Sequence, residues 1–241
     1  MKHQYIGDIN DYRKYALLRS LASRGINRIG VCWMLTPPDT RNDGGKLEYL
    51  RQPDKFRDFD PVLFDILTHA AATPGRRRLQ AIEDSGAILN ALYHNDLLSD
   101  SLSERTAFMD ACASAFRHAD LVFLDPDNGL EVSVPKGRKY SSKYLYLDEV
   151  AAFYASGKSL LVYQHFPRIE RTVFIASCAM RLRAVAPDAE IWTFTSSNVV
   201  FLFLLHPESP ARLAVATMRA CHQWDERFIV GTHLKDGRTS V

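Results

Sequence analysis

Two kinds of apolar spacing alternate along this chain. Over residues 10–24, Tyr12, Tyr15, Leu18 and Leu21 or Ala22 fall near one face of a helix, with Asp8 or Asn10 as its cap. Residues 28–35 form an almost unbroken apolar run, which suits a strand covered on both faces of a parallel sheet. Thr36-Pro37-Pro38-Asp39 ends that run, because proline lacks the N–H a strand needs. Residues 41–58 are charged and read mostly as loop. Asp60-Pro61 then opens a second helix, and residues 79–82 suggest a short strand after Arg76-Arg77-Arg78.

The same alternation continues to the end. Helical spacing is expected over 101–118, 148–156, 169–185 and 211–222. Buried strands are expected over 121–124, 159–163, 190–195 and 199–205, with a short one at 228–230. Only Ser196-Ser197-Asn198 joins two of these strands, and so short a link forces an antiparallel hairpin. Helices alternating with buried strands predict an α/β fold: one Rossmann-like, mostly parallel sheet with helices on both faces and a C-terminal antiparallel hairpin. The expected organisation is a single domain over 1–241, with a loop-rich insertion near 36–59 and an addition near 208–241. No internal repeat or low-complexity segment interrupts it.

Composition narrows the class. With 46% apolar and 24% charged residues in 241, the chain is neither disordered nor collagen-like. Cys32, Cys112, Cys178 and Cys221 are far apart and form no CxxC pair, which argues against a structural zinc site and a disulfide framework. The N-terminus has no apolar run of signal-peptide type, and the longest apolar run, 199–205, is too short to span a membrane. The expectation is a cytoplasmic protein with no membrane partner. The formal charge of +2 averages over unlike regions: acids crowd residues 39–65, while bases gather near the N-terminal helix and in 136–143.

In an open α/β sheet, ligands bind beyond the carboxyl ends of the strands. Three expected strand ends carry polar residues: Thr36 to Asp39, Asp125-Pro126-Asp127-Asn128, and Gln164-His165. The second runs from four apolar residues straight into two carboxylates and an amide, with Gly129 free to adopt an unusual backbone angle. His165 is the general-base candidate by its position after a buried strand. Asp125, Asp127 and Glu131 supply oxygen donors of the kind that divalent cations take.

The segment Leu121-Val122-Phe123-Leu124-Asp125-Pro126-Asp127-Asn128 resembles the Asp-Pro-Pro-Tyr/Phe segment of S-adenosylmethionine-dependent adenine N6-methyltransferases. Tyr5-Ile6-Gly7-Asp8-Ile9-Asn10-Asp11-Tyr12-Arg13-Lys14-Tyr15 is similar to the N-terminal segment of the branch that acts on large-subunit ribosomal RNA, with Gly7, Asp11 and Lys14 matching in place. Thr195 to Pro207 resembles that branch's closing hairpin, and Gln164-His165-Phe166-Pro167 stands where it has Trp-Tyr-Pro. The resemblance implies S-adenosylmethionine as cofactor, held around Gly7, Asp8, Asp11 and Lys14. It implies nucleic acid as partner, with Asp125 accepting a hydrogen bond from the target amine and the motif prolines supplying carbonyls.

The chain departs from that pattern in three places. Asp127 replaces the second proline, Asn128 replaces the aromatic that stacks on the base, and no Gly-x-Gly turn follows the first strand. Tyr140, Tyr144 and Phe166 are the aromatic candidates for the missing stack. Lys136, Arg138, Lys139 and Lys143, interleaved with Tyr140, form a basic loop suited to phosphate contact and base stacking. Two further readings stand beside methyl transfer: a non-catalytic nucleotide- or nucleic-acid-binding relative, and a metal-dependent nuclease using Asp125 and Asp127.

Overall fold

The computed structural model describes residues 1–37, 44–73, 75 and 77–235, and the backbone of 238 and 239. Pro38 and Asp39 of the first strand stop, residues 41–43 of the charged segment, Arg76 and most of the C-terminal tail lie outside the described residues. Helix α1 (Ile9–Ala22) leads to β1 (Ile29–Cys32). Three short or medium helices follow, α2 (Pro53–Phe56), α3 (Pro61–Ala72) and α4 (Gln80–Glu83), and then β2 (Ala91–His94). Next come α5 (Leu102–Ala115), β3 (Leu121–Leu124), the small paired strands β4 (Gly129–Leu130) and β5 (Tyr144–Leu145), and α6 (Leu147–Ala155). The chain ends with β6 (Ser159–His165), α7 (Arg171–Val185), β7 (Glu190–Thr195), β8 (Val199–Leu205), α8 (Ala211–Cys221), β9 (Val230–Lys235) and β10 (Arg238–Thr239).

Eight strands form one sheet in the order β10-β9-β7-β8-β6-β3-β1-β2. The strands β2, β1, β3 and β6 are mutually parallel. Strand β8 inserts antiparallel between β6 and β7, as the short Ser196-Ser197-Asn198 link required. Strand β9 then adds antiparallel to β7 and carries β10. The fold is Rossmann-like α/β, as the sequence pattern predicted.

Period-2 alternation explains why the strands lack polar positions. Val31, Trp33, Leu121 and Phe123 join the apolar cluster under α1, α3 and α8. Their neighbours Cys32, Met34, Val122 and Leu124 join the opposite cluster under α5, α6 and α7. Both faces are covered, so every position in β1 and β3 is buried.

Three expectations need correction. Residues 79–82 are not a strand, because Leu79 and Ile82 are buried from one turn of helix leading into α4. Strand β2 was not foreseen. Residues 41–58 are not simply loop either: beyond residue 43, Glu48–Arg51 and Arg57–Phe59 form single 3-10 turns around α2. No helix among the described residues is long and apolar enough to cross a membrane.

Candidate functional site

The chain order reverses beside β1: the chain runs from β1 to its neighbour β2, then returns to β3 on the other side. Such switch points open a crevice at the strand ends. A cleft of about 550 Å³ opens there, beyond β3 and β6, lined by Met1, Tyr5, Asp8, Asn10, Asp11, Lys14, Gly44 to Lys46, Asp125 to Asn128, Tyr163 and His165.

The first turn of α1 forms one wall. Asp8 caps the helix by accepting from the Asn10 N–H at 2.9 Å, and its other oxygen accepts from the Lys46 N–H at 3.1 Å. One turn later, Asp11 Oδ1 lies 2.9 Å from Lys14 Nζ, and its Oδ2 accepts from the Tyr15 hydroxyl at 3.1 Å. Gly7 does not line the cleft. It sits at φ +87° just before the cap, a backbone angle that side chains rarely adopt, so its role is in the turn.

The strand end of β3 forms the floor. Asp125 Oδ2 lies 2.7 Å from Lys14 Nζ, and both side chains are buried. The Met1 amino group reaches between two strand ends, donating to the Met34 carbonyl at 3.2 Å and the Asp125 carbonyl at 3.1 Å. It also lies 2.6 Å from Asp127 Oδ1. Asp127 Oδ2 accepts from the Thr36 hydroxyl at 2.8 Å. The turn beyond is clamped by Gln164 of β6, which accepts from the Leu130 N–H at 2.7 Å and donates to the Asn128 carbonyl at 3.1 Å. Gly129, at φ +105°, lets the chain pass this amide, since a Cβ there would collide with Gln164.

Charge balance sets the titration of these groups. Burial pushes the Asp11 carboxyl up to about 6, with the adjacent Lys14 opposing the shift. Burial pulls Lys14 down, but Asp11 and Asp125 outweigh it and the ammonium is held above its ordinary range. Burial would raise Asp127, yet the Met1 amine, Thr36 and Lys2 hold it below the usual carboxylate range. His165 stands at the mouth with Nε2 3.0 Å from the Tyr163 hydroxyl. Desolvation by the cleft walls, then the Lys14 charge, keep its imidazole below its ordinary value.

The structure therefore gathers Asp8, Asp11, Lys14, Asp125, Pro126, Asp127, Asn128 and His165 around one cleft. It adds Met1, Tyr5, Asn10, Lys46 and Tyr163, which sequence reading missed. The period-2 spacing from His165 to Tyr163 was a usable signal for the last of these. Tyr140, Tyr144 and Phe166 do not line the cleft; Tyr5 and Tyr163 are the aromatics that do.

The basic loop also stays outside. Lys136 is engaged by Asp148 at 2.5 Å and Glu149 at 3.3 Å. Lys139 and Lys143 flank the Tyr140 ring, at 5.0 and 5.3 Å from its centroid, and Arg138 is exposed. The loop joins the site through backbone alone, where the Asn128 N–H donates to the Lys143 carbonyl at 2.9 Å. Buried Arg105 anchors the loop base, donating to the Ser141 and Tyr144 carbonyls at 3.1 and 2.7 Å.

No protein-family model, curated protein or solved structure matches this chain.

Proposed function

We propose that the cleft binds S-adenosylmethionine and that the chain is a divergent methyltransferase-like protein, with an adenine amine of nucleic acid as acceptor. The observation that carries this reading is the meeting of the two segments on which the resemblance rests: Lys14 and Asp125 lie 2.7 Å apart at the strand ends. The chemistry of the lining also suits the cofactor. Its carboxylates suit a sulfonium and an amino group, Lys46 suits a carboxylate, and Tyr5 offers a flat apolar face.

When bound, the cofactor supplies an electrophilic methyl group. Asp8, Asp11 and Lys14 would hold it from the α1 side. Asp125, oriented by Lys14, accepts a hydrogen bond from the acceptor amine, and the Pro126 carbonyl is the second acceptor. Neutral His165 at the mouth takes the proton the amine releases. Positioning a weakly nucleophilic amine is then the main catalytic contribution.

Calorimetric titration with S-adenosylmethionine tests this. One-to-one binding, followed by methyl transfer to RNA or DNA that Asp125→Ala abolishes, is the expected result. No heat at millimolar ligand would overturn the cofactor assignment.

A second reading is a binding module without transfer activity, and one contact favours it: Lys14 already holds Asp125 Oδ2, the carboxylate the acceptor needs. Binding of the cofactor with no transfer would select it. The nuclease reading gains nothing from the geometry. Asp125 and Asp127 each face a protein cation, and among the described residues no group of three or more His, Cys, Asp or Glu side chains is placed to hold a metal.

A further inference from the structure

A second cavity, about 330 Å³, adjoins the cleft on the far side of the α1 first turn. Asp8 and Asn10 face the cleft, while Ile9 and Arg13 face this cavity. Its other walls are Lys55, Phe56, Phe59, Ser197, Asn198 and Arg227, so among the described residues its lining holds three cations and no acid.

Arg13 is the informative group. It is only 6% exposed, which is uncommon for an arginine, and among the described residues its Nε has no hydrogen-bond partner. Its Nη2 donates to the Arg227 carbonyl at 3.2 Å, and its Nη1 lies 3.5 Å from Asn10 Oδ1. No carboxylate lies within ion-pairing distance of it among the described residues. Asp225 takes the Arg227 Nε and Nη2 at 3.0 and 2.6 Å, so Arg227 brings a shared charge to the cavity, while Arg13 and Lys55 have no carboxylate partner among the described residues. The Nε is itself buried, so what Arg13 brings to the cavity is a positive charge at its wall that no carboxylate neutralises among the described residues, which favours an anion such as phosphate there. Phe56 and Phe59, both half-buried, add flat apolar faces beside it.

We infer that this cavity is a phosphate-binding groove that holds the backbone of a nucleic-acid strand while one of its bases enters the adjoining cleft. This rests on the proposed function for its substrate class. It places the electrostatic contact on Arg13, Lys55 and Arg227, with the loop 136–143 outside the path.

The test is fluorescence anisotropy of the full chain, without cofactor, on a labelled single-stranded RNA of about a dozen nucleotides across a salt series. Counterion release makes each phosphate contact on a single strand worth about fivefold in affinity near 0.1 M salt. Lys55→Gln with Arg227→Gln, both at exposed positions, is expected to weaken binding tenfold or more and to flatten the salt dependence by about one unit of slope. Lys139→Gln with Lys143→Gln is expected to leave both unchanged. Arg13→Gln should weaken binding further; if it fails to fold, the exposed pair decides alone. Unchanged affinity in the Lys55 and Arg227 variant would overturn the inference, as would equal competition by adenosine monophosphate or inorganic phosphate. Because no cofactor is present, loss of the S-adenosylmethionine reading leaves this result standing, and the converse holds.

Discussion

Lys14 Nζ lies between two buried carboxylates, 2.7 Å from Asp125 Oδ2 and 2.9 Å from Asp11 Oδ1, with the Tyr163 ring centroid 4.8 Å away. One side chain thereby ties α1 to the end of β3 across 111 residues. Removing a charge from water is costly unless partners replace the solvent, so the three groups depend on one another.

Breaking this set by Lys14→Met leaves two carboxylates buried without their cation. The expected cost is about 3–5 kcal/mol, measured by urea unfolding. Adding Asp125→Asn removes one of the orphaned charges, so the double variant should lose less than the sum of the singles. A coupling energy of about 1–3 kcal/mol is expected. Strict additivity would show that the contact contributes nothing as a pair.

The raised Asp11 carboxyl makes stability depend on pH. Folded Asp11 titrates at about 6 against an ordinary value of 3.8, so the folded chain holds this proton more tightly than the unfolded chain. Its stabilising contribution is full below 3.8 and is lost as pH rises through about 6. Asp11→Asn has no such proton. Between roughly pH 4 and 6.5 the wild type should therefore lose about 2–3 kcal/mol relative to the variant. Parallel urea midpoints for the two proteins across that window would contradict the assignment.

Gln164 holds the floor of the cleft in place. Gln164→Ala leaves the Leu130 N–H and the Asn128 carbonyl without their side-chain partner, at an expected cost of about 2 kcal/mol. Amide exchange at Leu130, followed by NMR, should speed up more than exchange in β7 or β8. Uniform acceleration across the sheet would mean that the clamp acts on global stability alone.

The strands easiest to read were those with a full apolar run between polar turns. Strands β3, β7 and β8 have the boundaries that the pattern predicted. Strand β2 escaped because it is an edge strand: Ala-Leu-Tyr-His is half-exposed, so neither strict alternation nor a buried run marks it. Residues 79–82 misled for the opposite reason, since two apolar residues three apart fit a single turn of helix as well as a strand. At the site, Asp125 and His165 were legible because strand ends are predictable. Met1, Tyr5 and Lys46 were not, because they reach the cleft only through tertiary folding. Nothing local to Arg13 reveals that its side chain packs against Phe228 and the Arg227 carbonyl, more than two hundred residues later.

The Lys14 tie also gives the cleft a place in time. As the chain is synthesised, Lys14 emerges long before Asp125, and β6, which carries Tyr163 and His165, comes later still. Closing such distant contacts is slow and late in folding, whereas the β7–β8 hairpin needs only its own short turn. Until β3 and β6 pair, the ammonium of Lys14 stays hydrated and the cleft has no floor. A ligand that binds there would thus select fully assembled molecules and hold them folded by mass action.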